Sequence, residues 1–222
     1  MIGYLIGGIG DVPGDDEWLR PDERDALAAL SHAKRRTDWR LGRWVAKQAV
    51  AAALAVSAEA LEIRNDDDGA PFVVAGGEPL ALAISLSHSS GVGLCTVAVP
   101  PFAIGCDVER VEERAPVFEA DWFTAAERRL VGTAPPEERD LRVTVIWSAK
   151  ESALKAARAG LRRDTRSVVV EELDAQRAGD WRRLRIRDVQ AAGSNLDGWW
   201  RRDGEMVISV AGASMPEPPS AL

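Results

Sequence analysis

The sequence predicts an α+β protein made of two similar halves. Helical patterns are followed by strand patterns twice along the 222 residues, and the second series starts near residue 104. No clear sequence repeat relates the two series, so the similarity is predicted for the order of elements. We therefore assign 1–103 to an N-terminal half, 104–214 to a C-terminal half and 215–222 to a proline-rich disordered tail. An acidic motif just past the junction places the expected active site at the interface of the halves.

The N-terminal half is predicted to begin with a strand at 4–6 and two helices. Gly7-Gly8-Ile9-Gly10 is interpreted as a plain loop, because proline and acids follow where a dinucleotide-binding motif needs glycine and a helix start. Pro21 and two acids begin the first helix. The second helix covers about 33–57 and carries one basic stripe, formed by Arg36, Arg40, Arg43 and Lys47. A solvated helix face is the default interpretation of this stripe, and phosphate binding is the alternative.

Strand patterns then alternate with turns up to the junction. A turn is predicted at 65–71, and strands are predicted at 72–74, 82–87, 92–99 and 102–108. In the second half, Thr124-Ala125-Ala126-Glu127 has the spacing of a capping box. One long helix is predicted at 136–159. Later strands are predicted at 167–171 and 184–189, and a hairpin turning at Asp203-Gly204 joins 199–200 to 206–210.

Composition excludes several classes of function. The formal net charge is -7, which argues against a broad cationic surface for nucleic acid or anionic membrane. The two cysteines are too few for a disulfide scaffold or a cysteine-built zinc site, and a buried free thiol is expected for each. The first ten residues lack a basic region and no apolar run is long enough to span a bilayer. We expect a soluble cytoplasmic protein.

Two short blocks carry the candidate chemistry. Asp107 and Glu109 end an apolar run two positions apart, so on a strand both carboxylates point to one face. In 147–156 the spacing of alanines predicts a helix on which Glu151 and Lys155 lie one turn apart. Three carboxylates brought together would resist full ionisation without a cation between them. The blocks therefore predict a divalent-cation site beside an anionic ligand.

Each of these residues also has a purely structural interpretation. Asp107 and Glu109 could belong to an exposed charged strand, although an acid flanked by apolar residues needs a partner. Ser148-x-x-Glu151 matches a capping box, and this interpretation is weakened if the helix starts near 136. Lys155 could form an ordinary surface pair with Glu151.

Ser87-His88-Ser89 offers hydroxyls and an imidazole at a turn, which is a possible anion-binding edge. A histidine in a turn is more often structural. A catalytic dyad of Ser87 with His88 is disfavoured, because adjacent residues on a strand point to opposite faces.

Together the motifs resemble the Sfp-type 4′-phosphopantetheinyl transferases. Three separated blocks occur in the family's order, namely Ser87-His88-Ser89, Gly105-x-Asp107-x-Glu109 and Trp147-Ser148-x-Lys150-Glu151-Ser152-x-x-Lys155-Ala156. The stretches 41–43, 64–71 and 122–127 resemble further blocks of the family, so the likeness covers most of the chain. It implies a fold of two similar α+β halves related by a pseudo-two-fold axis, with the active site at their interface.

The resemblance implies a Mg²⁺-dependent enzyme. It would transfer the 4′-phosphopantetheine arm of coenzyme A to a serine of an apo acyl or peptidyl carrier protein and release adenosine 3′,5′-bisphosphate. Asp107, Glu109 and Glu151 would hold the metal, an oxygen donor set suited to Mg²⁺. Glu151 would also activate the carrier serine, and Lys155 would neutralise charge on the pyrophosphate.

Coenzyme A contacts are implied for Arg43, Arg64, Gly69, Ser87, His88 and Lys155, and the basic stripe adds Arg36 and Arg40. The sequence departs from the family in two places. Ala70 stands where the family has a basic residue, and Gly160 follows Lys155 later than the family's glycine does. Neither departure affects the carboxylates or Lys155.

Carrier proteins are typically acidic, so we expect docking through a local surface at 122–130, with Phe123 and Leu130 as apolar contacts and Arg128 and Arg129 as charges. A monomer is expected. The alternatives are a non-catalytic coenzyme A or nucleotide-binding module of the same fold and a Mg²⁺-dependent phosphohydrolase.

Overall fold

The structure is a computed structural model that describes residues 2–191 and 195–222. It divides into two compact units, the first formed by 2–102 with 219–222 and the second by 103–191 with 195–218. Both units combine helices with mainly antiparallel sheets, which confirms the predicted α+β class.

Five α-helices are described: α1 Pro21–Ala28, α2 Ala33–Leu54, α3 Pro116–Trp122, α4 Ala125–Gly132 and α5 Arg139–Ala156. Short 3-10 turns lie at Ile9–Asp11, Ala58–Ala60, Pro136–Glu138, Gly160–Arg162 and Thr165–Ser167.

The strands of the first unit are β1 Ile2–Gly8, β2 Leu61–Asn65, β3 Pro71–Ala75, β4 Glu78–Pro79, β5 Ala83–Ser89, β6 Val92–Ala98 and β12 Ser220–Ala221. Those of the second are β7 Ile104–Arg110, β8 Val168–Ala178, β9 Trp181–Asp188, β10 Asn195–Asp203 and β11 Met206–Gly212.

The first unit packs helix α2 on a sheet of order β12-β1-β6-β5, and a second small sheet has the order β2-β3-β4. Its core is aliphatic, with Leu41 and Val45 of α2 against Cys95 and Val97 of β6. Gly8 N donates to Asp11 Oδ2 at 2.7 Å at the end of β1. The interpretation of this stretch as a plain loop is wrong, because Gly7 and Gly8 end strand β1, and Ile9 and Gly10 lie in a 3-10 turn.

The second unit packs helix α5 on an antiparallel sheet of order β7-β11-β10-β9-β8. Ala149, Ala153 and Leu154 of α5 are fully buried, as the predicted helical spacing requires. The Thr124 capping box is confirmed, since Thr124 Oγ1 accepts from Glu127 N and Glu127 accepts from Thr124 N. The predicted hairpin is also confirmed, with Asp203 opposite Met206.

Several elements differ from the sequence prediction. The long helix is shorter at both ends, because 136–138 form a 3-10 turn and positive φ angles at Arg158 and Gly160 stop its continuation. Helix α3 and the strands β2, β4 and β12 were not predicted from the sequence. Strand β2 is five residues long and carries two charged residues, so its local pattern is weak, and its pairing with β3 defines it.

The prediction of a disordered tail at 215–222 is wrong. Met215 is fully buried, and its carbonyl accepts from Trp199 Nε1 at 3.0 Å. Strand β12 pairs in parallel with β1, and Leu222 N donates to Tyr4 O at 3.0 Å. Prolines at 216, 218 and 219 suggested disorder, but the edge of β1 supplies hydrogen-bond partners far away in sequence.

None of the helices within the described residues is both long enough and apolar enough to cross a bilayer.

Candidate functional site

Two carboxylates leave strand β7 two residues apart. Asp107 and Glu109 lie on this strand as predicted, so both side chains point to one face of the sheet. The strand pairs with β11, which puts Asp107 opposite Ser209. Asp107 is only 3% exposed, whereas 22% of the Glu109 side chain reaches solvent. A buried acid of this kind needs a charged or hydrogen-bonding partner.

Helix α5 approaches β7 and β11 closely because the facing residues are small. A Cβ atom on Gly105 would lie 1.9 Å from Ser152 O, so a larger residue does not fit without moving the helix. On β11, Ser209 Oγ lies 2.8 Å from Ser148 Oγ and 2.7 Å from Ser152 Oγ. This packing brings the charged face of α5 next to the acids of β7.

Lys155 is the cationic partner of Asp107. Its Nζ lies 2.9 Å from Asp107 Oδ1 and donates to Cys106 O at 3.0 Å. Burial alone would lower the pKa of Lys155, but the attraction of Asp107 and then of Glu151 raises it above its usual value. Lys155 is therefore a charged ammonium, and a quarter of its side chain remains exposed (26%).

Glu151 is a half-buried carboxylate in the middle of α5. The helix begins twelve residues earlier, at Arg139, so the capping-box interpretation is wrong. Its Oε1 atom is buried and has no hydrogen-bond partner among the described residues. Burial raises the pKa of Glu151 to about 7; Lys155 opposes this rise, and repulsion from Asp107 and Glu109 adds to it. The fold thus holds a carboxylate that titrates near neutral pH.

Glu109 is held by two side chains, Trp147 and Arg114, for which no site role was predicted. Trp147 Nε1 donates to Glu109 Oε1 at 3.2 Å, and Arg114 Nη2 lies 3.3 Å from Oε2. Burial and then repulsion from Asp107 raise the pKa of Glu109, although Arg114 and Trp147 act in the opposite direction. One signal for Trp147 was present in the sequence, because it lies four residues before Glu151 and so on the same side of the helix. No comparable signal marked Arg114.

The three carboxylates fit a hard divalent cation by their chemistry. Across 2–191 and 195–222, no three acid, histidine or cysteine side chains are arranged to hold a metal ion. In this conformation Asp107 is bonded to Lys155, and Glu109 is bonded to Trp147 and Arg114. The buried Oε1 of Glu151 and the raised pKa values of Glu109 and Glu151 indicate an excess of negative charge that a cation would relieve. Oxygen donors of this kind suit Mg²⁺.

The implied nucleotide contacts Arg43, Arg64 and Gly69 lie in the first unit. Arg43 donates to Asn65 Oδ1 and stacks 4.7 Å from the Trp39 ring centre, and burial lowers its pKa. Arg64 donates to Glu62 Oε1 at 2.7 Å, which raises the pKa of Arg64. Gly69 has φ +81 and accepts from Asn65 Nδ2 at 2.7 Å. Asn65 thus links Arg43 to the turn that contains Gly69.

Ser87 and His88 are consecutive residues on β5. Ser87 is buried and His88 is exposed, so the two side chains lie on opposite faces of the sheet. This arrangement agrees with the prediction that they do not form a catalytic dyad.

Three of the four residues of the basic stripe on α2, Arg36, Arg40 and Lys47, contact segments that precede the helix. Arg36 donates to Leu27 O at 2.6 Å. Arg40 donates to the carbonyls of Pro13 and Asp15, and its Nε lies 2.9 Å from Asp16. These partners give the stripe a structural role, and coenzyme A binding by Arg36 and Arg40 stays a prediction.

The surface predicted for carrier docking differs in its apolar part. Phe123 is 1% exposed and belongs to the core, so it does not offer an apolar contact at the surface. Trp122 is 39% exposed, and Arg128 and Arg129 are exposed. Phe123, the residue after α3, is therefore buried in the core, whereas Trp122, the last residue of α3, is exposed to solvent.

Comparison with known proteins places the second unit in one family. A family model described as the 4′-phosphopantetheinyl transferase superfamily matches residues 103–190. A holo-[acyl-carrier-protein] synthase from Geobacillus sp. (strain WCH70) is 33% identical over 90 residues, which are 38% of this chain and 75% of that protein. The residues that the family model matches include the two acids of β7 and the charged face of α5.

Solved structures of similar proteins include two holo-(acyl-carrier-protein) synthases. The protein from Bacillus anthracis str. Ames, in complex with CoA (3′,5′-ADP), is 28% identical with a TM-score of 0.38 and covers 43% of this chain and 91% of its own. The protein from Helicobacter pylori, in complex with coenzyme A, is 19% identical with a TM-score of 0.31 and covers 44% and 98%.

The sequence match carries the assignment. The family model spans Asp107, Glu109, Glu151 and Lys155, the residues that the structure brings together where α5 crosses β7. Because this chain also covers 75% of the Geobacillus relative at 33% identity, it belongs to the 4′-phosphopantetheinyl transferase superfamily.

Proposed function

We propose that this protein is a Sfp-type transferase that moves the 4′-phosphopantetheine arm of coenzyme A to a serine of an apo acyl or peptidyl carrier protein, with Mg²⁺, and releases adenosine 3′,5′-bisphosphate. One observation carries the proposal most strongly. Glu151, Lys155 and Asp107 meet at the crossing of α5 and β7, where a carboxylate with a pKa of about 7 lies beside a charged ammonium. Such a pair offers a proton acceptor and a phosphate-binding cation together.

In this proposal Glu151, or a water that it holds, accepts the proton of the attacking serine hydroxyl. An acceptor works best when its pKa lies near the working pH, and burial has moved Glu151 into that range. Lys155 binds the pyrophosphate of coenzyme A and neutralises the charge that develops as the bond to the leaving nucleotide breaks. The hydrogen bond from Lys155 Nζ to Cys106 O holds the ammonium in a fixed position beside β7.

Asp107, Glu109 and Glu151 would hold Mg²⁺, which when bound polarises the pyrophosphate as a Lewis acid. Neighbouring side chains hold two of these carboxylates in place. Lys155 supports Asp107, while Trp147 and Arg114 orient Glu109. On binding of Mg²⁺, Asp107 and Glu109 would exchange these side-chain partners for the ion.

We further propose that Arg43, Arg64 and Gly69 contact the nucleotide end of coenzyme A and that Ser87 and His88 contact its phosphates. Among the described residues, no atom outside Gly69 and its two chain neighbours lies within 4 Å of a Cβ built on Gly69, which leaves room for a flat base beside the turn. Asn65 accepts a hydrogen bond from the neighbouring guanidinium of Arg43. Contacts of Arg36 and Arg40 with coenzyme A have the weakest support, because their guanidinium groups already donate to backbone carbonyls.

One assay tests the whole proposal. The protein is incubated with coenzyme A, Mg²⁺ and several apo carrier proteins, and mass spectrometry follows the phosphopantetheine adduct on the carrier serine. An adduct supports the transferase. Coenzyme A binding without any adduct would favour a binding module, and release of adenosine bisphosphate without carrier would favour a phosphohydrolase.

Asp107→Ala should abolish turnover in this assay, with a loss of about a hundredfold or more in the rate of adduct formation. The change removes both a proposed metal ligand and the partner of Lys155. Thermal unfolding checks that the variant is folded. A fully active variant would overturn the site assignment.

Charge reversal of both Arg128 and Arg129 to glutamate should raise the KM for the carrier about threefold to tenfold and leave the KM for coenzyme A unchanged. Both side chains are exposed on α4, and an acidic carrier would meet them at the rim of its contact surface. Reversal of exposed Arg35 on α2 provides the control. An unchanged carrier KM at low salt would remove this surface from the proposal.

A further inference from the structure

The second unit contains a buried ion pair next to the candidate site. The carboxylate of Glu127 on α4 and the ammonium of Lys150 on α5 are both 0% exposed, and Lys150 Nζ lies 2.7 and 2.8 Å from the two carboxylate oxygens. Lys150 also donates to Val168 O at 2.7 Å, and Glu127 accepts from Val170 N at 2.9 Å. The pair therefore ties α5 to both α4 and strand β8.

The first unit contains a buried ion pair with the same arrangement. Lys47 on α2 lies 2.5 Å from Glu23 on α1, and both are almost fully buried. Lys47 also donates to Trp18 O at 3.0 Å, and Glu23 accepts from Ile63 N of β2 at 3.0 Å. As in the second unit, the pair ties a long helix to the preceding short helix and to a strand.

Two further details match between the units. Each glutamate is the third residue of its short helix and accepts from the backbone N–H of the N-cap residue, Arg20 in one case and Thr124 in the other. Each lysine lies in a Trp-x-Ala-Lys sequence, at 44–47 and at 147–150. The two units thus share a short sequence repeat, Trp-x-Ala-Lys, at their buried ion pairs.

Comparing the two units shows which residues belong to the packing and which are specific to the candidate site. The residue after the lysine is Gln48 in the first unit and Glu151 in the second. The first unit keeps the ion pair without the acid, so the pair belongs to the packing of each unit. The three protons of Lys150 are directed at Glu127 and Val168 O, within a fully buried environment, which leaves none for a phosphate.

We propose that Glu127 and Lys150 are positioning residues for Glu151. Successive side chains leave a helix about 100° apart. Fixing Lys150 on the side of α4 and β8 therefore sets the rotation of α5, and this rotation points Glu151 and Lys155 toward the acids of β7. The inference rests on the proposed function for its activity readout.

The test compares Lys150→Met with Lys47→Met and with the double variant Glu127→Gln/Lys150→Met. Both single variants leave a buried carboxylate without its cation, so each should lower the urea midpoint of unfolding. Activity is measured where each variant is folded. Lys150→Met should lower kcat at least about tenfold with an unchanged KM for coenzyme A, while Lys47→Met keeps kcat within about threefold.

The double variant gives the decisive result. A neutral amide at position 127 no longer needs a cation, although its NH₂ group faces the N–H of Thr124 or Val170. The double variant should therefore regain part of the urea midpoint and part of kcat relative to Lys150→Met alone. If Lys150 instead contacted a phosphate, its loss would raise the KM for coenzyme A and Glu127→Gln would restore nothing. That outcome would overturn the proposal.

A readout that does not depend on activity keeps the two proposals distinguishable. Amide hydrogen exchange over 145–156 should speed up in Lys150→Met and return toward the wild-type rate in the double variant, with no change in Lys47→Met. Absence of any adduct with the wild type would remove the proposed function and leave this comparison intact. Unchanged exchange in all three variants would contradict the positioning role.

Discussion

Glu151→Gln should lower kcat for carrier loading by about a hundredfold to ten-thousandfold and leave the protein folded. The amide has nearly the shape of the carboxylate but cannot accept a proton from the serine. Because Oε1 is buried without a hydrogen-bond partner among the described residues, loss of the charge should not destabilise the fold. Steady-state kinetics and thermal unfolding measure the two effects, and exposed Glu137→Gln is the matched control.

The same variant has a defined effect on the pH dependence of stability. The pKa of Glu151 is raised in the folded state to about 7, so the folded protein keeps a proton that the unfolded chain loses at about pH 4.3. With divalent cations chelated, the wild type should therefore lose up to about 3 kcal/mol of stability between about pH 4.5 and 7. Glu151→Gln should lack this loss. Parallel pH profiles of the urea midpoint in both proteins would contradict the burial of a charged Glu151.

Gly105→Ala should lower the free energy of unfolding by about 3 kcal/mol or more and remove the activity. The new methyl group would lie 1.9 Å from Ser152 O and 2.6 Å from Ala156 N, so α5 must move away from β7. This movement separates Asp107 from Lys155, which are bonded across the same crossing. Urea unfolding and the carrier assay measure the two losses.

The clash involves backbone atoms, so Ser152→Ala should not rescue Gly105→Ala. Gly132→Ala is the matched control in the same unit. A Cβ at Gly132, the last residue of α4, meets nothing within 4 Å among the described residues, and the change should stabilise the protein by about 0.5–1 kcal/mol. Equal effects of the two substitutions would show that the close crossing is not needed.

The acids of the candidate site were predictable because their signal is local. The two-residue spacing of Asp107 and Glu109 on an apolar run and the helical spacing of Glu151 and Lys155 are properties of short segments. The capping box at Thr124 and the hairpin at Asp203-Gly204 are local in the same way, and the structure contains both.

The partners of these residues were not predictable, since they arise from contacts distant in sequence. Local spacing suggested Glu151 as the partner of Lys155, but the ammonium is bonded to Asp107, which a glycine brings within reach. No role was predicted for Lys150, and it is fully buried against Glu127. Burial of that kind depends on α4 and β8, which a single helical segment does not reveal.

The pairing of β12 with β1 links the order of synthesis to the order of folding. Strand β12 is the edge of the first unit's sheet, but all of the second unit lies between it and the rest of that sheet in the chain. A nascent chain that has reached residue 102 therefore presents β1 with an open edge until 219–222 have been made. The sheet of the first unit can therefore be completed by β12 only after the residues of the candidate site have been synthesised.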